Sequence, residues 1–266
     1  HVEYQRLQEE LHLWGNVFVR ELHKDNTIRT FAAQKVFYFR DRREFQAEEE
    51  VEVYDERESI RGRCGILRYF LDSEYGYLLM EPVIRLEDKD SLQVAAQKIE
   101  YFRSFQKVVA NFAVEVATEE FLIQSDFLLY FADEDKAIFL GNPRFLSEFA
   151  DANAREFQIF FQERQIRQAE LHDSCRVDFK AEETQEKESW IVADDMVFDF
   201  QDNMLTLCRA SGAVDSYYIQ DYTPEREYSV NKAQGTHLIL SVADNRITRI
   251  DMSTEVKGMY KFRKKD

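Results

Sequence analysis

Apolar and aromatic residues alternate with polar ones along most of the chain, and the alternation repeats. Ile99-Glu100-Tyr101-Phe102 is followed by a polar break and then by Val108-Val109-Ala110-Asn111-Phe112-Ala113-Val114-Glu115-Val116. Within such runs the side chains follow a period of 2 better than 3.6, so each unit reads as a strand, a hairpin turn and a returning strand. Runs of this form end at Phe39, Phe70, Phe102, Phe131, Phe161 and Phe200, with a weaker copy ending at Val242; the spacings are 31, 32, 29, 30, 39 and 42 residues. A strand-bearing period near 30 predicts stacked β-repeats, because one unit cannot bury its own apolar face.

Two markers give the repeat its grain. A polar break follows each anchor: Arg40–Arg43, Leu71–Glu74, Arg103-Ser104, Ala132–Asp135, Gln162–Arg164, Gln201–Asn203 and Ala243–Asn245. These are hairpin turns by composition. Some 12 to 14 residues beyond each anchor, a Val or Pro follows small or turn-forming residues, as in Gly15-Asn16-Val17, Glu50-Val51, Glu81-Pro82-Val83, Phe112-Ala113-Val114, Gly141-Asn142-Pro143, Gly212-Ala213-Val214 and Glu255-Val256. Positive φ or a bulge is expected there. The returning strand of the first full unit is expected to alternate through Phe45, Ala47, Glu49, Val51 and Val53. Ala154–Arg167, the one stretch with a helical look, reads as strand because Phe157–Phe161 falls in phase. Lys180–Ser189 and Tyr217–Ala233 lengthen the period and read as insertions. No linker composition marks a boundary, so residues 1–266 are expected to form one domain of about seven repeats. The start resembles a repeat cut short, and the chain is expected to extend upstream into an export signal.

Composition narrows the function. With 22 Phe, 13 Tyr, only 8 Gly and 3 Pro in 266 residues, the chain has the material for a large strand-rich core. A net charge of −16 repels phosphate backbones and argues against nucleic acid as a partner. The three cysteines, Cys64, Cys175 and Cys208, have no metal-site spacing; one disulfide is permitted and none is required. The five histidines are scattered. Asp133-Glu134-Asp135 and Asp194-Asp195 lack the spacing of a calcium loop and read as solvated turns. No nucleophile elbow or phosphate loop occurs. The reading is a non-enzymatic protein with no cofactor and no metal.

The anchors define two aromatic columns: Phe39, Phe70, Phe102, Phe131, Phe161 and Phe200, and beside them Tyr38, Tyr69, Tyr101 and Tyr130. Neighbours in a strand face opposite sides. The Phe column is assigned to the interior because it stays aromatic in all six anchors, whereas Asp199 breaks its neighbour. If two sheets splay apart, these residues line a groove for acyl chains, each buried CH₂ contributing about 0.8 kcal/mol. The competing reading is a dry β-solenoid scaffold that associates end to end through unpaired strand edges, as homo-oligomers or with similar domains.

The pattern resembles the OstA family of lipopolysaccharide-transport proteins, which includes LptA, the periplasmic domain of LptC and the N-terminal domain of LptD. The resemblance rests on Leu11-His12-Leu13-Trp14-Gly15-Asn16-Val17 leading to Ala33-Gln34-Lys35-Val36-Phe37-Tyr38-Phe39, on Ala95–Phe102, on Phe139-Leu140-Gly141-Asn142-Pro143, and on Gly235–Val242 with Gly258-Met259-Tyr260. It implies an all-β fold: an open, elongated, V-shaped β-jelly roll, solenoid-like, of stacked repeats of about 30 residues. It also implies a periplasmic location, a lipid or glycolipid cargo bound by its acyl chains, and other OstA-like domains as edge-strand partners. Pro143 stands where the family pattern has Val, and Gly-Asn is missing from several units.

Overall fold

A computed structural model describes residues 1–22, 25–87, 92–163, 165–180, 189–202, 204–222, 227–243 and 246–263. The described chain is all β apart from two single 3-10 turns, at Arg103–Phe105 and Ala132–Glu134, and every strand pairing given below is antiparallel. It divides into two compact units, His1–Glu134 and Asp135–Asp266.

The first unit contains β1 (Val2–Gln5), β2 (Glu10–Leu22), β3 (Ile28–Phe39), β4 (Glu44–Asp55), β5 (Ile60–Phe70), β6 (Tyr75–Leu79), β7 (Val83–Leu86), β8 (Gln93–Ala95), β9 (Lys98–Phe102), β10 (Lys107–Ala117) and β11 (Phe121–Phe131). The long strands each serve two sheet halves. β5 pairs β6 through Ile66–Phe70 and β7 through Ile60–Arg63. β10 likewise pairs β9 through Lys107–Asn111 and β8 through Glu115–Ala117.

The fold line between the halves is written into the backbone. On alternate strands two successive residues carry positive φ: Gly15 and Asn16, Glu49 and Glu50, Met80 and Glu81, Phe112 and Ala113, Gly141 and Asn142, Asp173 and Ser174, Thr254 and Glu255; at the remaining one only Gly212 does. The ladder register slips where each continuous strand jogs, as between Trp14 and Val17 or Glu48 and Val51. These jogs coincide with all seven marker sites expected from the sequence, plus Asp173-Ser174. The neighbouring strands cross the fold line with a single residue. Gln34 bridges two jogs, its Nε2 donating to Asn16 Oδ1 at 2.9 Å and Glu50 Oε2 at 2.8 Å.

Inward positions follow from this geometry. On a jogged strand, inward residues flanking the fold line are four apart, as Ala47 and Val51 or Ala110 and Val114. On its neighbours they are three apart, as Ala33 and Val36 or Ala96 and Ile99; all are buried. Glu49, expected inward by simple alternation, sits on the jog and is exposed. Residues of both halves pack together, with Ala33, Val36, Ala47, Val51 and Cys64 at the centre and Leu13, Val17, Phe31, Phe45, Leu67 and Leu78 around them.

The second unit repeats the scheme with β12 (Lys136–Leu140), β13 (Arg144–Ser147), β14 (Ala150–Asn153), β15 (Glu156–Gln162), β16 (Gln165–Phe179), β17 (Ser189–Gln201), β18 (Met204–Tyr222), β19 (Glu227–Ala243), β20 (Arg246–Ser253) and β21 (Lys257–Arg263). Ala154–Arg167 gives strands β15 and the start of β16, as expected. The longer period at Tyr217–Ala233 is a lengthening of β18 and β19, which stay paired to Tyr222 and Glu227. Most of the insertion expected at Lys180–Ser189 lies outside the described residues, as does Pro224. β19 pairs β20 through His237–Ala243 and β21 through Tyr228–Gln234.

Candidate functional site

The interior between the sheet halves is the candidate site, and strand register decides which anchors reach it. In the first unit one inward ladder runs Leu13, Val36, Ala47, Leu67, Leu78, Ile99, Ala110, Leu128. Two residues nearer the tight turns runs a second: Leu11, Tyr38, Phe45, Tyr69, Gly76, Tyr101, Val108, Tyr130. All four predicted tyrosines therefore share the inward face. Tyr101 reaches the rim, 40% exposed where Ile99 beside it is 0%, and Tyr38, Tyr69 and Tyr130 are half-buried. Gly76 makes room for a neighbour in this row: a Cβ there would lie 2.7 Å from the Tyr69 ring carbon Cδ2.

The phenylalanine column divides. Phe39, Phe70, Phe102 and Phe131 lie on the opposite face, in the row Glu10, Phe39, Glu44, Phe70, Tyr75, Phe102, Lys107, Phe131. This corrects the assignment of the Phe column to the interior. Two of these rings are capped by charge: the Arg42 guanidinium sits 3.9 Å from the Phe39 centroid and Lys107 Nζ 4.5 Å from that of Phe102. Phe102 also lies 4.9 Å from Tyr75. The Tyr75 hydroxyl donates to Glu100, which also accepts from Lys98 and Asn111 at 2.8 Å each. Burial alone would raise the Glu100 carboxyl, but these donors outweigh it and hold its pKa below the usual value. Burial, then the hydrogen bond to Glu100 and the charge of that carboxylate, pushes the Tyr75 phenol up. The cluster is a satisfied outer face.

In the second unit, Phe161 and Phe200 stand two residues beyond the buried Ile159 and Phe198, on the inward face by strand alternation; each is half-buried, and the ladder slips just before it. The sequence alignment of anchors was displaced by one residue here, and in a strand one residue changes the face. The small residue before the fold line gives the true phase: Ala33, Cys64, Ala96, Ser125, Ala154, Ala193 and Gly235 each precede a bulky inward residue by three. Five residues after it comes Tyr38, Tyr69, Tyr101 or Tyr130 in the first unit, but Ile159, Phe198 or Leu240 in the second. The second interior is thus more apolar at this level, with ladders Phe139, Phe157, Leu171, Met196, Ala210, Leu238, Met252 and Ala137, Ile159, Ala169, Phe198, Cys208, Leu240, Ile250.

Sequence reasoning did not find the cavity of about 350 Å³ at the β19–β21 end of this unit. Leu238, Leu240, Ile250 and Met252 form one side; Ile191, Ser216, Asn231 and Ala233 lie across from them. Its volume is in the range of small-ligand sites.

The other chemistry considered is structural. Cys64, Cys175 and Cys208 are free and buried, and burial pushes each thiol up to about 12. Asp194, at a fold line, accepts from Ala213 N at 3.0 Å. Among the described residues no cluster of three or more potential metal ligands occurs, and no helix is long and apolar enough to cross a membrane. His23 lies outside the described residues.

Residues 3–64 match the family model described as "Lipopolysaccharide-assembly, LptC-related". The match covers 62 of 266 residues and takes in β1 to β4 and the first half of β5, including the first two jogs and the Ala33-to-Tyr38 strand. No curated protein matches the chain. Over these residues the match bears out the resemblance to the lipopolysaccharide-transport proteins.

Proposed function

We propose that this chain, LptC-like over residues 3–64, is a non-enzymatic carrier that shields the acyl chains of lipopolysaccharide or a related glycolipid between its two sheet halves, in the periplasm. The observation that carries this reading is the inward face itself: a buried aliphatic ladder that ends, on its open side, in a row of tyrosines. Tyrosine suits such a rim, with an apolar ring for the chain and a hydroxyl for water. The expected lining is Tyr38, Tyr69, Tyr101 and Tyr130 in the first unit, and Phe161 and Phe200 in the second.

Native extraction and mass spectrometry of the purified chain should find lipid with acyl chains. A purified, folded sample that neither carries lipid nor takes it up from micelles would refute the reading. A second role has its own support. β21 pairs only β19 among the described strands and exposes Met259, Tyr260 and Phe262; the second half of β2 pairs only β3 and exposes Phe18, Val19 and Leu22. Such edges suit strand addition by a similar domain. Deleting residues 257–266 should abolish any concentration-dependent oligomer if β21 is the joining edge.

A further inference from the structure

The cavity of the second unit is not lined as a uniformly greasy chamber would be. One side is aliphatic, with Leu240, Ile250 and Met252 from β19 and β20. The other side, from β17, β18 and β19, sets Ser189, Ser216 and Asn231 among Ile191 and Ala233. Both serines are buried. Ser216 Oγ donates to Ala233 O at 3.2 Å, and Ser189 Oγ donates to Ile219 O at 3.4 Å while accepting from Ile219 N at 3.1 Å. With its proton engaged, the Ser216 hydroxyl offers lone pairs. The Asn231 carboxamide lines the cavity and can both donate and accept. In a chain that is 32% charged, no lining residue of this cavity carries a charge.

These features fit an occupant with two parts. A charged headgroup would find no counter-charge and would lose its hydration. A plain hydrocarbon would satisfy the aliphatic side but cover the Asn231 carboxamide and the Ser216 lone pairs without offering them a partner, which costs affinity. We propose that this cavity binds a single acyl chain together with an uncharged group on it that both donates and accepts a hydrogen bond, a hydroxyl or an amide. The chain lies on Leu240, Ile250 and Met252, and the polar group faces Asn231 and Ser216. The inference rests on the acyl-carrier reading and adds selectivity to it.

The test is equilibrium dialysis of the full chain against two neutral probes that differ by one hydroxyl, methyl 3-hydroxydodecanoate and methyl dodecanoate. An apolar chamber disfavours the added hydroxyl, so the sign of the preference is informative. The wild-type chain should bind the hydroxy ester roughly 3- to 10-fold tighter, the worth of one net hydrogen bond. Asn231→Leu, close in volume, should reverse the order, and Ser216→Ala should shrink it should the first variant fold poorly. Preference for the plain ester in the wild type, or a preference that neither variant changes, overturns the polar wall and leaves the carrier reading standing. Binding of neither ester by a chain whose circular dichroism is native overturns both.

Discussion

Adjacent residues at the end of β9 offer a direct test of which face is interior. Tyr101 lies inward between Gly76 and Val108, and Phe102 outward between Tyr75 and Lys107. With Tyr101 40% exposed, its ring surrenders somewhat over half of the roughly 150–250 Å² that an aromatic side chain can bury, or on the order of 100 Å². At ~25 cal/mol per Å², Tyr101→Asp should destabilise the fold by about 2–3 kcal/mol. Phe102→Asp loses an aromatic contact with Tyr75 of about 0.5–1.5 kcal/mol. It also loses a cation–π contact of about 0.5–1 kcal/mol with Lys107. The new carboxylate faces Lys107 across the ladder and regains a few tenths. Phe102 is also less exposed than Tyr101, so its own burial adds to these losses; Phe102→Asp should cost the fold at least as much as Tyr101→Asp, and the two differ in cargo. A carboxylate on the inner rim must be desolvated against an acyl chain, a penalty of several kcal/mol that should lower loading on the order of 100-fold or more. Lipid per protein, measured by mass spectrometry beside a thermal melt, should fall for Tyr101→Asp and stay near wild type for Phe102→Asp and Tyr101→Phe. Loss of lipid from a well-folded Phe102→Asp, with Tyr101→Asp fully loaded, would refute the assignment of faces.

Three further outcomes are expected. Gly212 has φ of +93° and its Cβ position lies 2.1 Å from Asp194 Oδ2, so Gly212→Ala should destabilise by more than the roughly 1–2 kcal/mol of left-handed strain; an unchanged melting temperature would contradict the jog geometry. With thiols pushed up to about 12 and buried, the three cysteines should resist iodoacetamide at pH 8 until denaturant is added, as counted by intact mass. Burial works against ionisation of Asp55, but Arg29, whose Nε donates to it at 2.7 Å, and the turn amides of Glu58 and Arg57 outweigh it and lower its pKa. Its stabilising share is present above the ordinary value of 3.8 and is lost as pH falls through the lower folded value. Asp55→Asn should cost about 1 kcal/mol at pH 7, given the solvent around Arg29, and flatten the acid limb of a stability-versus-pH curve; a variant with the wild-type acid limb would exclude this role.

Fold class, turns and jogs were legible in the sequence because each is a local event. A polar pair between alternating runs has few uses other than a hairpin, and small or turn-forming residues before Val mark where the backbone adopts positive φ. Glu49-Glu50 and Met80-Glu81 show the limit, since neither has glycine and only the repeat placed a jog there. The facing of the anchors was harder to read. Phe39 and Tyr38 are comparable in bulk and apolar surface, so hydrophobicity does not rank them. The phase is set instead by the fold line, three residues from small Ala33 to Val36, and that offset departs from simple alternation. The cavity was illegible because it depends on how Asn231, in one half of β19, and Ile250, on the strand paired to its other half, are brought face to face across the fold line.

The same offset explains why the two units line their interiors differently. Position five after the small residue is inward in every repeat, so a tyrosine there keeps a hydroxyl at the open rim. In the second unit Ile159, Phe198 and Leu240 occupy it and are buried, so this level has become core. Polarity is retained there on the other sheet half, in Ser189, Ser216 and Asn231, and there the cavity lies. On the carrier reading each unit offers an acyl chain hydrogen-bonding partners of its own, on the rim of the first and in the cavity of the second. The first arrangement suits a chain held from an open side; the second suits one laid against an aliphatic wall with its polar group turned to the wall opposite.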